Sequence, residues 1–224
     1  MNLPTILKKC SKQSIQILDK KISLAKYSAI DLSTNNNDLS TIEITDPEEC
    51  QKYIDKVLKK NNAKVGYGGY LEKRNLYATS NRFSDGKKRN VHLGLDFWCS
   101  AGTKVITPIS GIVHSFNNNA DKGNYGPTII LKHTIEVFSF YTLYGHLSLE
   151  SLNGLYVGKK FSKGETLATL GTPDINVNYA PHLHFQLIKD IGNFEGDYPG
   201  VCSKDDLDFY VNNCPNPNLL LKLY

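Results

Sequence analysis

Two short stretches of the sequence place histidines and a carboxylate at spacings that suit metal binding. NVHLGLDF contains His92 and Asp96, four residues apart, and PHLHFQL contains His182 and His184, two residues apart. In an extended strand, side chains two or four positions apart lie on the same face. Each stretch therefore predicts a strand with one polar, metal-competent face and one apolar face for the core.

Histidine nitrogens and carboxylate oxygens are suitable zinc ligands, and a catalytic zinc site has three protein ligands and an open fourth position. HxxxD and HxH together supply four candidates. If three of them bind an ion, one histidine remains beside the open position, where it can act as an acid or base. The competing interpretation is two hydrogen-bonded, partly exposed polar faces that bind no metal.

Other polar residues near these motifs have weaker claims. In YTLYGHL, Tyr144 and His146 share a predicted face, so Tyr144 is a candidate hydrogen-bond donor beside the site or a packed core residue. Arg89 precedes the first motif and could pair with a carboxylate or bind substrate. His114 and His133 lie on predicted strands without a paired ligand, which favours a structural role. His133 could still line the cleft.

The composition excludes several classes of protein. Of 224 residues, 40% are hydrophobic, which is ordinary for a globular protein, and the net charge of +4 includes no block of like charge that would indicate a nucleic-acid partner. No apolar run reaches the length of a membrane span. The five cysteines form no CxxC pair, which argues against a thiolate zinc site and for reduced thiols. The N-terminal stretch is a poor secretory signal, so we expect a cytoplasmic protein, with non-classical export as the alternative.

The order of elements predicts a mainly β protein. From about residue 90, short alternating segments separated by turn signals favour an antiparallel β-sandwich or barrel. TIEIT predicts a short strand, and VGYGGY predicts a linker or lid. DPEECQKYIDKVLKKNN predicts a helix capped by Asp46, with Pro47 at its first position and Glu49 completing a capping box. The tail after residue 200 predicts a helical turn followed by an extended arm.

Four blocks in a fixed order carry a family resemblance: HLGLD, GTKVITPISGIV, YGHL and HLHF. Together they resemble the lysostaphin-type zinc metallopeptidases, bacterial peptidoglycan endopeptidases with a small β-sheet catalytic domain, the duplicated hybrid motif. FYTLYGHLSLESLNGL and EGDYPGV further resemble a subgroup found as stand-alone proteins and attached to aminotransferase-like enzymes. The resemblance covers about residues 66–200. We therefore divide the chain into an N-terminal α+β segment (1–65), a catalytic domain (66–200) and a C-terminal extension packed on the core (201–224).

The resemblance also implies roles for individual residues. His92, Asp96 and His184 would bind one Zn²⁺ per chain, and His146 and His182 would be the catalytic histidines. The implied partner is peptidoglycan or wall-derived peptides, which conflicts with the expected cytoplasmic location. The sequence leaves the oligomeric state and the division of roles between the two catalytic histidines open.

Two other classes of function remain as alternatives. The first is a non-catalytic binding or regulatory module on the same fold, against which the complete five-residue set argues. The second is a cupin-like metal oxygenase, which also carries HxH on a β-barrel. Such proteins usually have a glutamate a few residues after HxH and a later histidine, whereas Gln186 and Lys189 follow here and no histidine comes after His184.

Overall fold

The computed structural model describes residues 2–75, 89–121 and 123–224. Its helices are α1 (Leu3–Lys9), α2 (Pro47–Lys60), α3 (Leu207–Asn213) and α4 (Asn218–Leu221). Its strands are β1 (Tyr27–Ala29), β2 (Val65–Gly68), β3 (Arg89–His92), β4 (Leu95–Trp98), β5 (Lys104–Ile106), β6 (Gly111–Asn119), β7 (Gly126–Ile135), β8 (Phe138–Gly145), β9 (Lys160–Phe161), β10 (Thr166–Thr169), β11 (His182–Ile188) and β12 (Val201–Ser203). No helix within these ranges has the length and apolarity needed to cross a membrane.

One large sheet organises the molecule. Its eight strands lie in the order β1-β2-β4-β11-β8-β7-β6-β9. The pair β1–β2 is parallel, and every other neighbouring pair in this sheet is antiparallel. Two smaller antiparallel sheets pair β5 with β10 and β3 with β12. The predicted mainly β fold is therefore confirmed, with a mixed rather than purely antiparallel main sheet.

Helix α2 follows the sequence prediction closely. It begins at Pro47, and the Asp46 carboxylate accepts hydrogen bonds from the N–H groups of Glu48 (2.8 Å) and Glu49 (3.0 Å). The predicted capping box is only half formed, because the Asp46 N–H donates to the Glu43 carbonyl at 2.9 Å instead of to Glu49. The apolar face of α2 packs in a cluster with Trp98 of β4 and so lies beneath one side of the site described below.

Three local predictions were wrong. TIEIT (41–45) forms turns without a strand partner, and its isoleucines pack against the cluster around α2. VGYGGY does not form a linker, because its first four residues are β2, where a Cβ at Gly66 would collide with Ile30. In the C-terminal tail, α3 corresponds to the predicted helical turn, but the predicted extended arm is instead the helix α4, which buries Leu220 and Leu221 in the main core.

Candidate metal centre

Three side chains from two neighbouring strands and the end of a third converge on one point. Asp96 of β4 lies opposite His184 of β11 in the antiparallel register, and His92 ends β3. The His92 Nε2 atom is 2.9 Å from His184 Nδ1 and 3.2 Å from Asp96 Oδ1, and the two latter atoms are 3.1 Å apart. All three residues are buried. Their donor atoms form a nearly equilateral triangle.

The tautomer of His92 follows from its outer contact. Its Nδ1 atom lies 2.8 Å from the carbonyl oxygen of Gly69. A carbonyl oxygen only accepts, so Nδ1 carries the hydrogen and Nε2 presents a lone pair to the triangle. Outer contacts of this kind fix the tautomer of metal-binding histidines.

His184 is held in the same manner by Gln186. The Gln186 amide nitrogen donates to the Pro199 carbonyl at 3.1 Å, so the amide oxygen must face His184 Nε2, at 2.9 Å. His184 therefore donates from Nε2 and presents a lone pair at Nδ1. Two lone pairs and a carboxylate oxygen thus face one another with no hydrogen between them.

A divalent cation would accept the two lone pairs and the carboxylate oxygen together. Donors about 2.0–2.1 Å from a tetrahedral zinc ion lie about 3.3 Å from one another, close to the triangle seen here. The donor set of two imidazoles and one carboxylate is one that zinc accepts, and it leaves a fourth position open. The residues present therefore fit a catalytic zinc ion.

The electrostatics keep two of the three donors, His92 and Asp96, in the protonation states that metal binding requires. Burial lowers the pKa of His92 to about 4, and the charge of Arg74 contributes in the same direction. Burial alone would raise the pKa of Asp96, but His92, the Arg74 guanidinium and His184 together hold it well below its ordinary value. At neutral pH the centre thus contains a neutral His92 and an ionised Asp96.

Two further histidines stand beside the triangle. The rings of His146 and His182 have centroids 4.1 Å apart. The Ala180 carbonyl lies 2.7 Å from His182 Nδ1, so this nitrogen carries the hydrogen and Nε2 is the acceptor. Burial lowers the pKa of both rings, and His182 and His184 push that of His146 further down, well below its ordinary value. Both are neutral near pH 7.

His146 reaches the cleft through an uncommon backbone conformation. It directly follows β8, and its φ of 60° lies in the left-handed region, which a few histidines adopt. Its N–H donates to the Tyr125 carbonyl at 2.8 Å, and its carbonyl accepts from the Gly171 N–H at 3.0 Å. Its buried Nδ1 atom has no hydrogen-bond partner among the described residues. The left-handed turn therefore places the His146 imidazole in the cleft wall.

The cleft over these residues has a volume of about 410 Å³. Asp96, His146, His182 and His184 lie in its wall, together with the aromatic side chains Trp98, Tyr125, Tyr179, Phe194, Tyr198 and Tyr210. Arg74 and Arg89 add positive charge. A concave site with aromatic walls and a few convergent polar groups is typical of small-ligand and peptide binding.

Comparison with known proteins agrees with this geometry. Residues 90–195 match the model of peptidase family M23. The chain contains an M23 peptidase domain. The match includes every residue of the triangle and both adjacent histidines.

The M23 domain has a curated relative in Haemophilus influenzae, described as an uncharacterized metalloprotease. The two are 36% identical over 95 residues, which is 42% of this chain and 18% of the relative. The matched segment therefore spans less than a fifth of that protein's length.

Solved structures are also similar. The catalytic domain of the antimicrobial peptidase lysostaphin from Staphylococcus simulans is 24% identical, with a TM-score of 0.40 over 67% of this chain and 93% of that one. The catalytic domain of the prophage-encoded M23 protein EnpA from Enterococcus faecalis is 20% identical, with a TM-score of 0.41 over 59% and 88%.

The structure places two of the weaker sequence candidates outside the cleft of the M23 domain. Tyr144 pairs in register with Phe185 on the core face of the sheet, and its ring is fully buried there. His133 bonds to the Ser110 carbonyl (2.9 Å) and to Thr142 (2.7 Å) inside the sheet. Neither side chain lines the described cleft, and their hydrogen bonds go to Ser110 and Thr142 rather than to the triangle, so they contact neither a substrate in the cleft nor the three donors. The predicted common face of Tyr144 and His146 was wrong, because the left-handed backbone at 146 interrupts the alternation.

Arg89 does line the cleft, as the sequence allowed. Three other residues at the centre were not predicted. Gln186 orients His184, and its position two residues further along the same strand face was an available signal. Gly94 separates β3 from β4, and a Cβ there would lie 2.7 Å from His184 Cε1. Arg74 contacts Asp96 from a distant segment, for which the sequence offered no signal.

Proposed function

We propose that this protein is a zinc-dependent metalloendopeptidase that hydrolyses peptide bonds in the stem or cross-bridge peptides of peptidoglycan. The observation that carries the proposal is the pairing of a three-donor centre with two neutral histidines in one cleft. The M23 match supports peptidase chemistry. The resemblance of the HLGLD, YGHL and HLHF blocks to lysostaphin-type enzymes supports zinc and the peptidoglycan substrate.

A bound Zn²⁺ would supply an activated water and polarise the scissile carbonyl. His92, Asp96 and His184 would hold it. The neutral imidazoles of His146 and His182 are both able to accept the proton of the attacking water. The ring that accepts this proton becomes an imidazolium, which could bond the developing oxyanion or pass the proton to the leaving amine.

The histidines are better suited to the role of base than the carboxylates of the cleft. Among the described residues that line it, the carboxylates are Asp96 and Asp197. Asp96 belongs to the metal triangle and is bound to Arg74, and the Asp197 carboxylate accepts from the Tyr198 N–H at 2.8 Å. No HExxH motif is present to supply a glutamate. Proton transfer therefore falls to His146 and His182.

Metal analysis joined to a cleavage assay tests this function. We expect the purified chain to hold about one zinc ion, and to convert soluble peptidoglycan fragments into products that gain one water across a peptide bond, as seen by mass spectrometry. Removal of zinc by a chelator should abolish cleavage, and added zinc should restore it. Zinc without cleavage, together with activation of a separate wall hydrolase, would instead support a binding module, and bound iron would support an oxygenase.

The physical form of the substrate needs a separate measurement. Intact sacculi and soluble wall-derived peptides should be compared in the same assay, and cells should be fractionated in parallel. A protein pool confined to the cytoplasm would exclude direct action on the intact wall and leave soluble peptides as the substrate.

A further inference from the structure

The loop 69–74 follows β2 and contains the end of the glycine-rich GYGGY stretch. It lies N-terminal to residues 90–195, which match the M23 family. It runs along β3 through three backbone hydrogen bonds: Leu71 N–H to His92 O (2.8 Å), His92 N–H to Glu72 O (3.0 Å) and Arg74 N–H to Asn90 O (2.9 Å). This pairing fixes the loop directly against the metal centre.

Two of the three metal-competent side chains are held from this loop. The Gly69 carbonyl accepts from His92 Nδ1 at 2.8 Å, and Arg74 Nη1 donates to Asp96 Oδ2 at 2.5 Å. The Arg74 side chain is only 1% exposed. Since Oδ2 of Asp96 is occupied by the guanidinium, Oδ1 is the oxygen that faces the two histidines.

Arg74 is itself fixed by a second ion pair. Its Nε atom donates to Glu72 Oε2 at 2.5 Å, and the other oxygen of Glu72 accepts from the Leu32 N–H at 3.1 Å. The guanidinium carbon also lies 5.5 Å from the centre of the Trp98 ring. A chain of contacts thus runs from the N-terminal segment through Glu72 and Arg74 to Asp96.

The glycines of the loop explain how a buried guanidinium fits here. Gly69 has a φ of 100°, which side chains other than glycine rarely adopt. A Cβ at this position would collide with the Arg74 guanidinium, and one at Gly68 would collide with the Ile30 carbonyl. The stretch predicted as a linker is therefore built to place Arg74 beneath Asp96.

We propose that Arg74 is a positioning residue that restricts Asp96 to binding the metal through Oδ1 alone, and that loop 69–74 is the outer support of the metal centre. The inference rests on the metal centre of the proposed function and assigns part of that centre to a segment outside the family match. A guanidinium can bond two carboxylates at once in a fixed plane, as it does here with Glu72 and Asp96. Without it, both oxygens of Asp96 become available to the ion.

Metal affinity, measured without substrate, tests the inference. Zinc affinity is determined by competition with a chromophoric chelator for the full wild-type chain and for Arg74→Gln, Arg74→Lys and Glu72→Gln. We expect Arg74→Gln to bind zinc about 10–100-fold more weakly, the usual effect of losing an outer-shell partner. The visible spectrum of the Co²⁺-loaded variant should also change, because Asp96 gains a second available oxygen. Arg74→Lys should recover only part of the affinity, since an ammonium lacks the planar fork.

Lys52→Gln is the matched control, because it also removes a cation paired with a carboxylate, Glu49, but at an exposed site. It should leave affinity and spectrum unchanged. If Arg74→Gln does not fold, Arg74→Lys and Glu72→Gln decide the outcome. Wild-type affinity and an unchanged cobalt spectrum in the folded variants would overturn the positioning role alone. A wild-type chain that binds neither ion would overturn the metal centre and this inference together, whereas zinc binding without peptide cleavage would overturn only the peptidase function.

Discussion

His92 Nε2 and His184 Nδ1 lie 2.9 Å apart, and neither nitrogen carries a hydrogen. Each ring donates its single N–H to an acceptor outside the triangle, which is the Gly69 carbonyl for His92 and the Gln186 amide oxygen for His184. Two facing lone pairs beside a carboxylate form a poor hydrogen-bonding cluster and a good cation site. Facing lone pairs of this kind distinguish a metal-binding cluster from polar side chains that simply bond one another on a sheet surface.

Loss of His184 should remove both metal and activity. His184→Ala deletes one of three donors, so we expect the purified variant to contain little zinc and to cleave no peptidoglycan fragment. His114→Ala is the control, because His114 lies on β6 and packs against Tyr141 rather than in the cleft. Near-stoichiometric zinc in His184→Ala would show that the ligand set is wrong.

Loss of His146 should separate metal binding from catalysis. His146 is adjacent to the triangle without belonging to it, so His146→Ala should keep most of its zinc. Its kcat should fall by about 10²–10⁴-fold, the usual contribution of a general acid or base. Zinc content checks that the metal is retained, and steady-state kinetics on the same preparation check the fall in kcat. Normal cleavage by this variant would contradict the role assigned to His146.

Gln186 should control the orientation of His184. Gln186→Leu leaves the His184 Nε2–H without its acceptor, and we expect zinc affinity to fall about 10–100-fold. Gln186→Glu keeps an acceptor for His184 but places a second oxygen against the Pro199 carbonyl, so its affinity should lie between those of Gln186→Leu and the wild type. Equal affinity for both variants and the wild type would mean that the ring needs no partner.

The sequence predicted the part of the site that depends on strand alternation. Asp96 and His184 each sit within one regular strand, where the period of two holds, and they meet because β4 and β11 are neighbours. Alternation failed where the backbone leaves the strand. His92 and Asp96 belong to different sheets separated by a break at Gly94, and His146 turns into the cleft through a left-handed residue.

The outer contacts of the site could not be read from the sequence. Arg74 lies 22 positions before Asp96, and their ion pair exists only because the loop 69–74 pairs with β3. The glycines of GYGGY make this pairing possible. In the structure they belong to a strand and a tight turn, but glycine-rich composition alone does not distinguish such a segment from a linker. The local sequence pattern thus predicted most of the metal-competent side chains. The groups that orient them are brought into place by long-range packing, which the local pattern does not predict.

Gly94 should be required for the metal centre through its small size. A Cβ there would lie 2.7 Å from both His184 Cε1 and the Phe185 carbonyl oxygen. Gly94→Ala should therefore displace the His184 ring, lower zinc affinity and destabilise the fold by about 1–3 kcal/mol. Gly102→Ala adds the same methyl group where nothing lies within 4 Å, so it should keep wild-type zinc affinity despite a strained φ of 79°. Unchanged zinc affinity in Gly94→Ala would show that the ring can move aside.

His133 should make folding stability depend on pH independently of the metal centre. Burial lowers its pKa from 6.5 to about 4, so between these values the unfolded chain binds a proton that the folded chain does not. Stability must then fall as the pH drops from 6.5 to 4, by about 3 kcal/mol in total. His133→Gln should be less sensitive to acid than the wild type by that amount, as measured by urea unfolding of the metal-free proteins between pH 4.5 and 7.5. Thr142→Val removes the hydroxyl 2.7 Å from His133 Nε2 but keeps the imidazole, so it should retain the wild-type slope. Parallel curves for His133→Gln and the wild type would mean that the buried ring becomes protonated without unfolding.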